Sequence, residues 1–451
     1  MATAVEQLAK NANWGTLAKA TELKQRILFV LGALLVYRIG TYIPVPGIDP
    51  FIWNEIFTRT TNGGGILDTF NMFSGGALSR MTIFALNIIP YISASIIMQL
   101  GTAMSKHLEE LKKEGEVGRM KINQYTRYLT VLLASMQAYG LAVGLEGMAG
   151  DNGASAVINP GLFFRASTVI TIVGGTVFLM WLGEQITARG VGNGISLIIF
   201  AGIVAELPRA IGSTLELSQQ GSISGGLLLA IFLMVIGVIA LIVYVERAQR
   251  RIIVQYPKRN TGNRMEQGQT NHIPLKLNTA GVIPPIFASS LLLLPLTVVN
   301  FAGISGQSDF WSEVTRYLAH GQPVYMILYG GLIIFFCFFY TAIVFNPEEN
   351  ADTLRKYGGF IPGIRPGKNT ADYLDHVLTR ISTVGAIYLV FVCLLPEFLI
   401  SKYNMPFYFG GTSLLIVVTV TLDTVAQIHS HMIAHQYEGL MKKTKLRGRR
   451  R

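Results

Sequence analysis

Charge is what this sequence has least of. Asp, Glu, Lys and Arg supply 14% of the 451 residues against 51% hydrophobic ones, too few to coat a soluble globule of that length and the balance expected of a chain that lives in lipid. Cysteine is almost absent: Cys337 and Cys393 lie in separate apolar runs without C-x-x-C spacing, so they read as packing residues rather than a redox or metal pair. Polar constellations inside the apolar runs are equally scarce. No nucleophile stands beside a base, no carboxylates pair and no phosphate-binding loop occurs, so no enzyme, metal or cofactor is expected and any work must be powered by a partner. His429, His431 and His435 lack the intervening Glu of an H-E-x-x-H site, and Gly190-Val-Gly-Asn-Gly follows an apolar helix rather than a strand, which makes it a tight loop. Asp423 is a lone carboxylate in the last apolar run, by default a functional candidate but near a helix end more often a structural hydrogen-bond partner, while Glu184 and Arg38 sit near run ends where snorkelling is inexpensive. The formal net charge is +11, but the Lys and Arg residues are segregated into alternate loops without interleaved aromatics, which speaks for orientation and docking rather than base stacking.

What is present is a succession of apolar runs. A hydrocarbon core about 30 Å thick asks for roughly 20 apolar residues per helix. Spans are expected at Leu23 to Ile43, Met81 to Leu100, Tyr128 to Leu145, Ala166 to Leu182, Leu227 to Val245, Ala280 to Val299, Val324 to Phe345, Ile381 to Leu395 and Thr412 to Ile428. Gly194 to Leu207 is short, and length alone leaves it a re-entrant or buried piece. Charge decides: the basic segments Lys19 to Arg26, Lys106 to Lys121, Arg247 to Lys276, Arg355 to Lys368 and Lys442 to Arg451 fall on one side only if Gly194 to Leu207 crosses. The expected fold is therefore all-α, with ten transmembrane helices, both termini cytoplasmic and one membrane domain over 1–451. Met1 to Glu22 lacks the short apolar core and cleavage site of a signal peptide, so the first span is expected to be retained.

Ten divides into halves, residues 23–214 and 225–435, followed by a basic tail, 436–451. Asn193-Gly-Ile-Ser-Leu-Ile-Ile opens the fifth span and Gly410-Gly-Thr-Ser-Leu-Leu-Ile the tenth, a likeness that suggests pseudo-symmetric halves with a pathway at their interface. Pro284, Pro285 and Pro295 are expected to kink the seventh span. Between the first two spans, glycines flank a half-length helix from Ile66 to Phe73 that cannot cross; it reads either as a mobile re-entrant segment or as an external surface turn.

Longer motifs carry a resemblance. Phe73-Ser-Gly-Gly-Ala-Leu-Ser-Arg, Asn87-Ile-Ile-Pro-Tyr-Ile-Ser-Ala-Ser-Ile, Met180-Trp-Leu-Gly-Glu-Gln-Ile-Thr, Gly192-Asn-Gly-Ile-Ser, Val245-Glu-Arg-Ala-Gln-Arg-Arg-Ile, Pro274-Leu-Lys-Leu-Asn, Phe345-Asn-Pro-Glu-Glu-Asn-Ala-Asp, Phe360-Ile-Pro-Gly-Ile-Arg-Pro-Gly and Pro406-Phe-Tyr-Phe-Gly-Gly-Thr-Ser-Leu-Leu-Ile run through nearly the whole chain. Together they resemble the SecY family of Sec translocon channels, in the family's order, with departures such as Asn87. The resemblance implies a protein-conducting channel of the bacterial cytoplasmic (inner) membrane, with an hourglass pore between the halves that opens across the membrane for secreted chains and sideways for membrane segments. By position it implies a pore ring of Ile88, Ile92, Ile195, Ile199, Ile286 and Ile416, which can seal by dewetting while offering a translocating chain no strong binding site.

The half-helix of Ile66, Leu67, Asp68, Thr69, Phe70, Asn71, Met72 and Phe73 resembles the family's plug. The second and seventh spans resemble its lateral gate, with polar positions Ser93, Gln99, Asn278 and Thr279; Ser93 and Gln99 could equally make ordinary interhelical bonds. Arg247, Arg250, Arg251, Lys258, Arg259, Arg264, Arg355, Lys356, Arg365 and Lys368 resemble the docking surface for the ribosome or the SecA motor ATPase, beside the plainer roles of setting topology and touching membrane lipids. Arg365, held among prolines and glycines, resembles the family's critical loop arginine. Further implied partners are SecE, SecG, preprotein signal sequences and nascent membrane proteins. The rival reading, an ion-coupled secondary transporter, would need several ionisable residues at the midplane, and scarcely any are present.

Overall fold

The computed structural model describes residues 21–61, 71–147, 155–219, 225–256, 260–261, 264–265, 270–301, 317, 322–403 and 411–448. The protein is an all-α polytopic membrane protein. Each expected span has its helix: α1 Thr21–Gly40, then, after the short α2 Pro50–Thr61, α3 Ile89–Met104; the small amphipathic α4 Lys106–Lys113; α5 Glu116–Gly147, α6 Leu162–Arg189, α7 Gly194–Gln219 and α8 Gly225–Arg247. After a β-hairpin come α9 Ile283–Phe301, α10 Pro323–Val344, the short α11 Pro347–Lys356, α12 Lys368–Tyr403 and α13 Gly411–Gly448. Among the described residues seven of these helices are long and apolar enough to cross a membrane by length and composition. α3 is shorter, and α1 carries Lys24, Arg26 and Arg38.

Several boundaries differ from the sequence reading. The second span does not begin at Met81: residues 81–88 form turns, Met81 and Asn87 have positive φ of 45° and 49°, and the helix starts only at Ile89 with Pro90 in its first turn. Left-handed residues cannot continue a right-handed helix, and a proline at the start loses nothing because its N–H would be unpaired there anyway. The same rule corrects the reading of Pro284 and Pro285, which lie in the first turn of α9 and do not kink it. The fifth span is not short, since α7 continues through Pro208 to Gln219. α12 begins at Lys368, well before Ile381, so its polar first turns project beyond the apolar run.

The basic segment read as a loop holds the antiparallel pair β1 Gln249–Gln255 and β4 Thr270–Lys276, with the tiny β2 Asn260–Thr261 and β3 Arg264–Met265 between them. Along Arg251-Ile-Ile-Val the burial alternates: Ile252 and Val254 are buried, while Arg251 and Ile253 are exposed.

The chain divides into two compact units, one of residues 1–213, 293–316 and 420–451, the other of 214–292 and 317–419. In the first, α5 packs on α3 and α6, and α1 on α6. In the second, α10 and α11 pack on α12. A cluster of Ile252, Val254, Leu275, Ile361, Leu374, Val377, Leu378 and Ile381 seats the β-hairpin on the first turns of α12.

The paired motifs at the start of α7 and α13 share a packing device. A Cβ on Gly194 would collide with the Gly183 carbonyl of α6, and one on Gly411 with the Val392 carbonyl of α12, so both helices start flush against the one before. Ile199 and Ile416, five residues on, are each at most 5% exposed.

Candidate functional site

Two regions gather functional side chains. The first lies between α2 and α3, where residues 71–88 replace what would otherwise be the start of a span. Asn71, Met72 and Phe73 end a helical turn and are buried. Gly75 and Gly76, at φ of 64° and 79°, close it: Gly75 N–H donates to the Met72 carbonyl (3.1 Å) and Gly76 N–H to that of Asn71 (2.9 Å), a left-handed helix stop that only glycine adopts without strain. Asn71 Oδ1 accepts from Ser79 N–H at 2.9 Å, and Trp53 Nε1 donates to the Leu78 carbonyl at 2.9 Å.

Further ties come from α1 and from the segment's own far end. Tyr37 Oη donates to the Ser74 carbonyl (3.2 Å), Arg38 Nη1 to that of Gly75 (2.8 Å) and Asn87 Nδ2 to that of Phe73. Phe84 lies between the rings of Tyr37 and Phe178, at centroid distances of 6.1 and 6.0 Å, against a Gly40 that leaves room for no Cβ. The chain then pairs briefly with residues 43–45 through Val45 N–H to Met81 O (2.9 Å) and Ile83 N–H to Ile43 O (3.0 Å). Arg38 is therefore not a snorkelling terminal charge but a backbone anchor. Asn87, noticed in the sequence only as a departure, combines a left-handed backbone that Asn tolerates with a side chain long enough to reach Phe73.

One charged residue escaped the sequence reading. Glu206 lies inside α7, its side chain 13% exposed, with Oε1 3.8 Å from Arg80 Nη2. A lone carboxylate in an apolar span is itself a signal, as it was for Asp423, and could have been found. Glu184, also treated as a terminal charge, forms a two-pronged ion pair with Arg127 at 2.7 and 3.0 Å.

Of the plug positions, Ile66, Leu67, Asp68, Thr69 and Phe70 lie outside the described residues. Of the ring positions, Ile88, Ile92 and Ile199 in one unit and Ile416 in the other are buried, while Ile195 and Ile286 are half-buried. The gate positions differ in kind. Asn278 is buried and fully engaged, donating to Glu246 Oε1 (2.7 Å) and the Gly281 carbonyl (3.1 Å) and accepting from Gly281 N–H. Thr279 bonds the Lys276 carbonyl. Ser93 Oγ and Gln99 Oε1 are buried atoms with no hydrogen-bond partner among the described residues.

The second region is the basic end of the second unit. Gln255 and Phe360 exchange backbone hydrogen bonds of 2.9 Å, so the 360–367 loop is stitched to the hairpin, and Ile361 joins the shared cluster. Gly363 and Gly367, at φ of 83° and 109°, shape the loop, and the Thr370 hydroxyl bonds the Arg365 carbonyl. Arg247, Arg250, Arg251, Arg355, Lys356, Arg365 and Lys368 are all exposed. Lys258 and Arg259 lie outside the described residues, and of Arg264 only the backbone is described. On the separate helix α4, the Lys113 ammonium bonded to Glu109 holds that exposed carboxyl below its ordinary value.

A family model, SecY, matches residues 82–425, most of the chain. The chain belongs to the SecY family. It is 56% identical over 426 residues to a protein translocase subunit SecY of Rickettsia felis, covering 94% of this chain and 97% of that one. Its fold resembles that of a solved protein-conducting channel, at a TM-score of 0.62 and 19% identity over 90% of this chain and 92% of the other. It also resembles Sec61 from a canine ribosome–channel complex of the endoplasmic reticulum, at a TM-score of 0.59 and 19% identity over the same shares. SecY-family membership accounts for the apolar spans and for the motif order along the chain.

Proposed function

We propose that this chain is the channel-forming subunit of a Sec translocase, passing unfolded preproteins across the bacterial cytoplasmic membrane and releasing transmembrane segments sideways into lipid. The observation that carries the reading is near full-length likeness to a translocase subunit, 56% identical over 426 residues. In this reading Ile88, Ile92, Ile195, Ile199, Ile286 and Ile416 form the sealing ring, residues 66–73 the plug, and Ser93, Gln99, Asn278 and Thr279 the polar seam of the lateral gate. The chain catalyses no reaction of its own and both termini are cytoplasmic. SecA or a ribosome, docking on the exposed basic end around Arg250, Arg355 and Arg365, supplies the drive; the similarity to a channel from a ribosome complex supports that partner. SecE and SecG complete the assembly.

Reconstitution with those subunits, SecA and a preprotein tests the proposal: ATP-dependent protection of preprotein inside the vesicles is expected. Uptake of small solutes driven by an ion gradient, without preprotein transport, would instead indicate a secondary transporter.

A further inference from the structure

Glu206 is a charged residue in an apolar helix, and it is aimed at the segment that follows the plug positions. Its carboxylate lies 3.8 Å from Arg80 and over the backbone of Gly76, so closely that a Cβ there would collide with both side chains. One helical turn earlier on α7, Gly202 leaves no room for a Cβ beneath the Phe73 carbonyl, and the Gly75 backbone lies against it. Residues four apart share a helix face. α7 therefore offers one face made of a flat glycine and a carboxylate, and both meet the Phe73–Gly76 turn. Arg80 is held from the other side, donating to the Thr41 carbonyl at 3.2 Å and lying 4.2 Å above the Tyr42 ring.

We propose that Arg80 and Glu206 form an electrostatic clasp that fastens the Phe73–Gly76 turn to α7 and so positions the plug it carries, making both positioning residues for channel closure. The consequence for closure rests on the plug reading above; the clasp itself rests only on the observed geometry. Parting the turn from α7 separates the two charges and takes from the largely enclosed Glu206 carboxylate its arginine partner, which opposes the movement. Arg38, which holds the Gly75 carbonyl from α1, would stay engaged. Loss of the clasp therefore loosens the turn without unfolding the unit.

The test uses the assembled complex in vesicles, with Glu206→Gln, Arg80→Gln, the exchange Arg80→Glu with Glu206→Arg, and removal of residues 66–73. Backbone hydrogen exchange at Gly75 and Gly76 is expected to quicken about tenfold in each single variant, equivalent to ~1.4 kcal/mol of local opening, and to slow again in the exchanged pair. Resting ion conductance should rise and fall in the same order. Unchanged exchange in both single variants would overturn the clasp, whatever the conductance. Quickened exchange with unchanged conductance would overturn the role in closure, provided that removal of 66–73 does raise conductance. If that removal leaves conductance unchanged, the plug reading has failed, and the exchange rates alone decide the clasp.

Discussion

Residues 71–88 and the basic end of the second unit are both irregular interruptions of a helical membrane protein, yet they are built in opposite ways. The first is bonded at almost every step: the carbonyls of Ser74, Gly75 and Leu78 are each taken by a side chain from elsewhere in the unit and that of Phe73 by Asn87 at the segment's own end, and its arginine is half-buried beside a carboxylate. The second rests on one apolar cluster and turns its arginines and lysines outward. Buried polar groups must be satisfied or they cost free energy, whereas exposed charges interact weakly within the chain and remain available to others. Substitutions in the first region should accordingly act on folding and closure, and those in the second on partners.

The largest expected effect is that of Gly76→Val. A β-branched residue at φ of 79° is strained, and its Cβ would displace Glu206 and Arg80, so a loss of about 3 kcal/mol or more is expected, visible as a lowered melting temperature of the purified complex. Near-parental stability would show that the segment is looser than its bonds imply.

Arg365→Glu sharpens the contrast from the other side. The exposed guanidinium should contribute little to stability, yet charge reversal at a docking site costs a few kcal/mol of binding, about a hundredfold in SecA-driven import into vesicles. Protease mapping of topology serves as the control, and normal import by the variant would remove Arg365 from docking.

A smaller difference separates two buried polar residues. Asn278→Ala removes the hydrogen bonds to Glu246 and to the Gly281 amide and should cost about 1–3 kcal/mol, whereas Ser93→Ala removes an oxygen with no described partner and should be close to neutral. Thermal unfolding of the two variants side by side decides this, and equal losses would mean that Ser93 is satisfied after all.

Smallest is the acid response of α4. Glu109 is held below its ordinary value, so its pairing with Lys113 helps while the pH stays above the unfolded carboxylate value of about 4.3 and is lost as the pH falls through the lower folded one. Because the group is fully exposed, exchange of the α4 amides should quicken only slightly on acidification, and Glu109→Gln should abolish that pH dependence.

The helical spans, their order and the basic loops were legible in the sequence because apolar runs and charge segregation are local patterns that lipid enforces directly. The repeat at Gly194 and Gly411 was legible for a related reason: a helix that starts flush against a carbonyl tolerates no Cβ, so the same residue recurs wherever the same contact does. What eluded the reading were features that depend on distant partners. Nothing near Met81 or Asn87 in the chain announces that the span starts late; the cause is Phe84 seated between Tyr37 and Phe178, and a side chain reaching back to Phe73. The hairpin was masked by its charges, since its inward face becomes meaningful only against α12. Likewise Glu206 stood in plain view as one carboxylate in an apolar run, but its pairing with Arg80, 126 positions earlier by number, exists only once α7 and the Phe73–Gly76 turn are brought together. Lipid dictates composition one residue at a time and so writes the spans into the sequence. A hydrogen bond or ion pair between remote segments is set by tertiary geometry, and only the folded chain decides it.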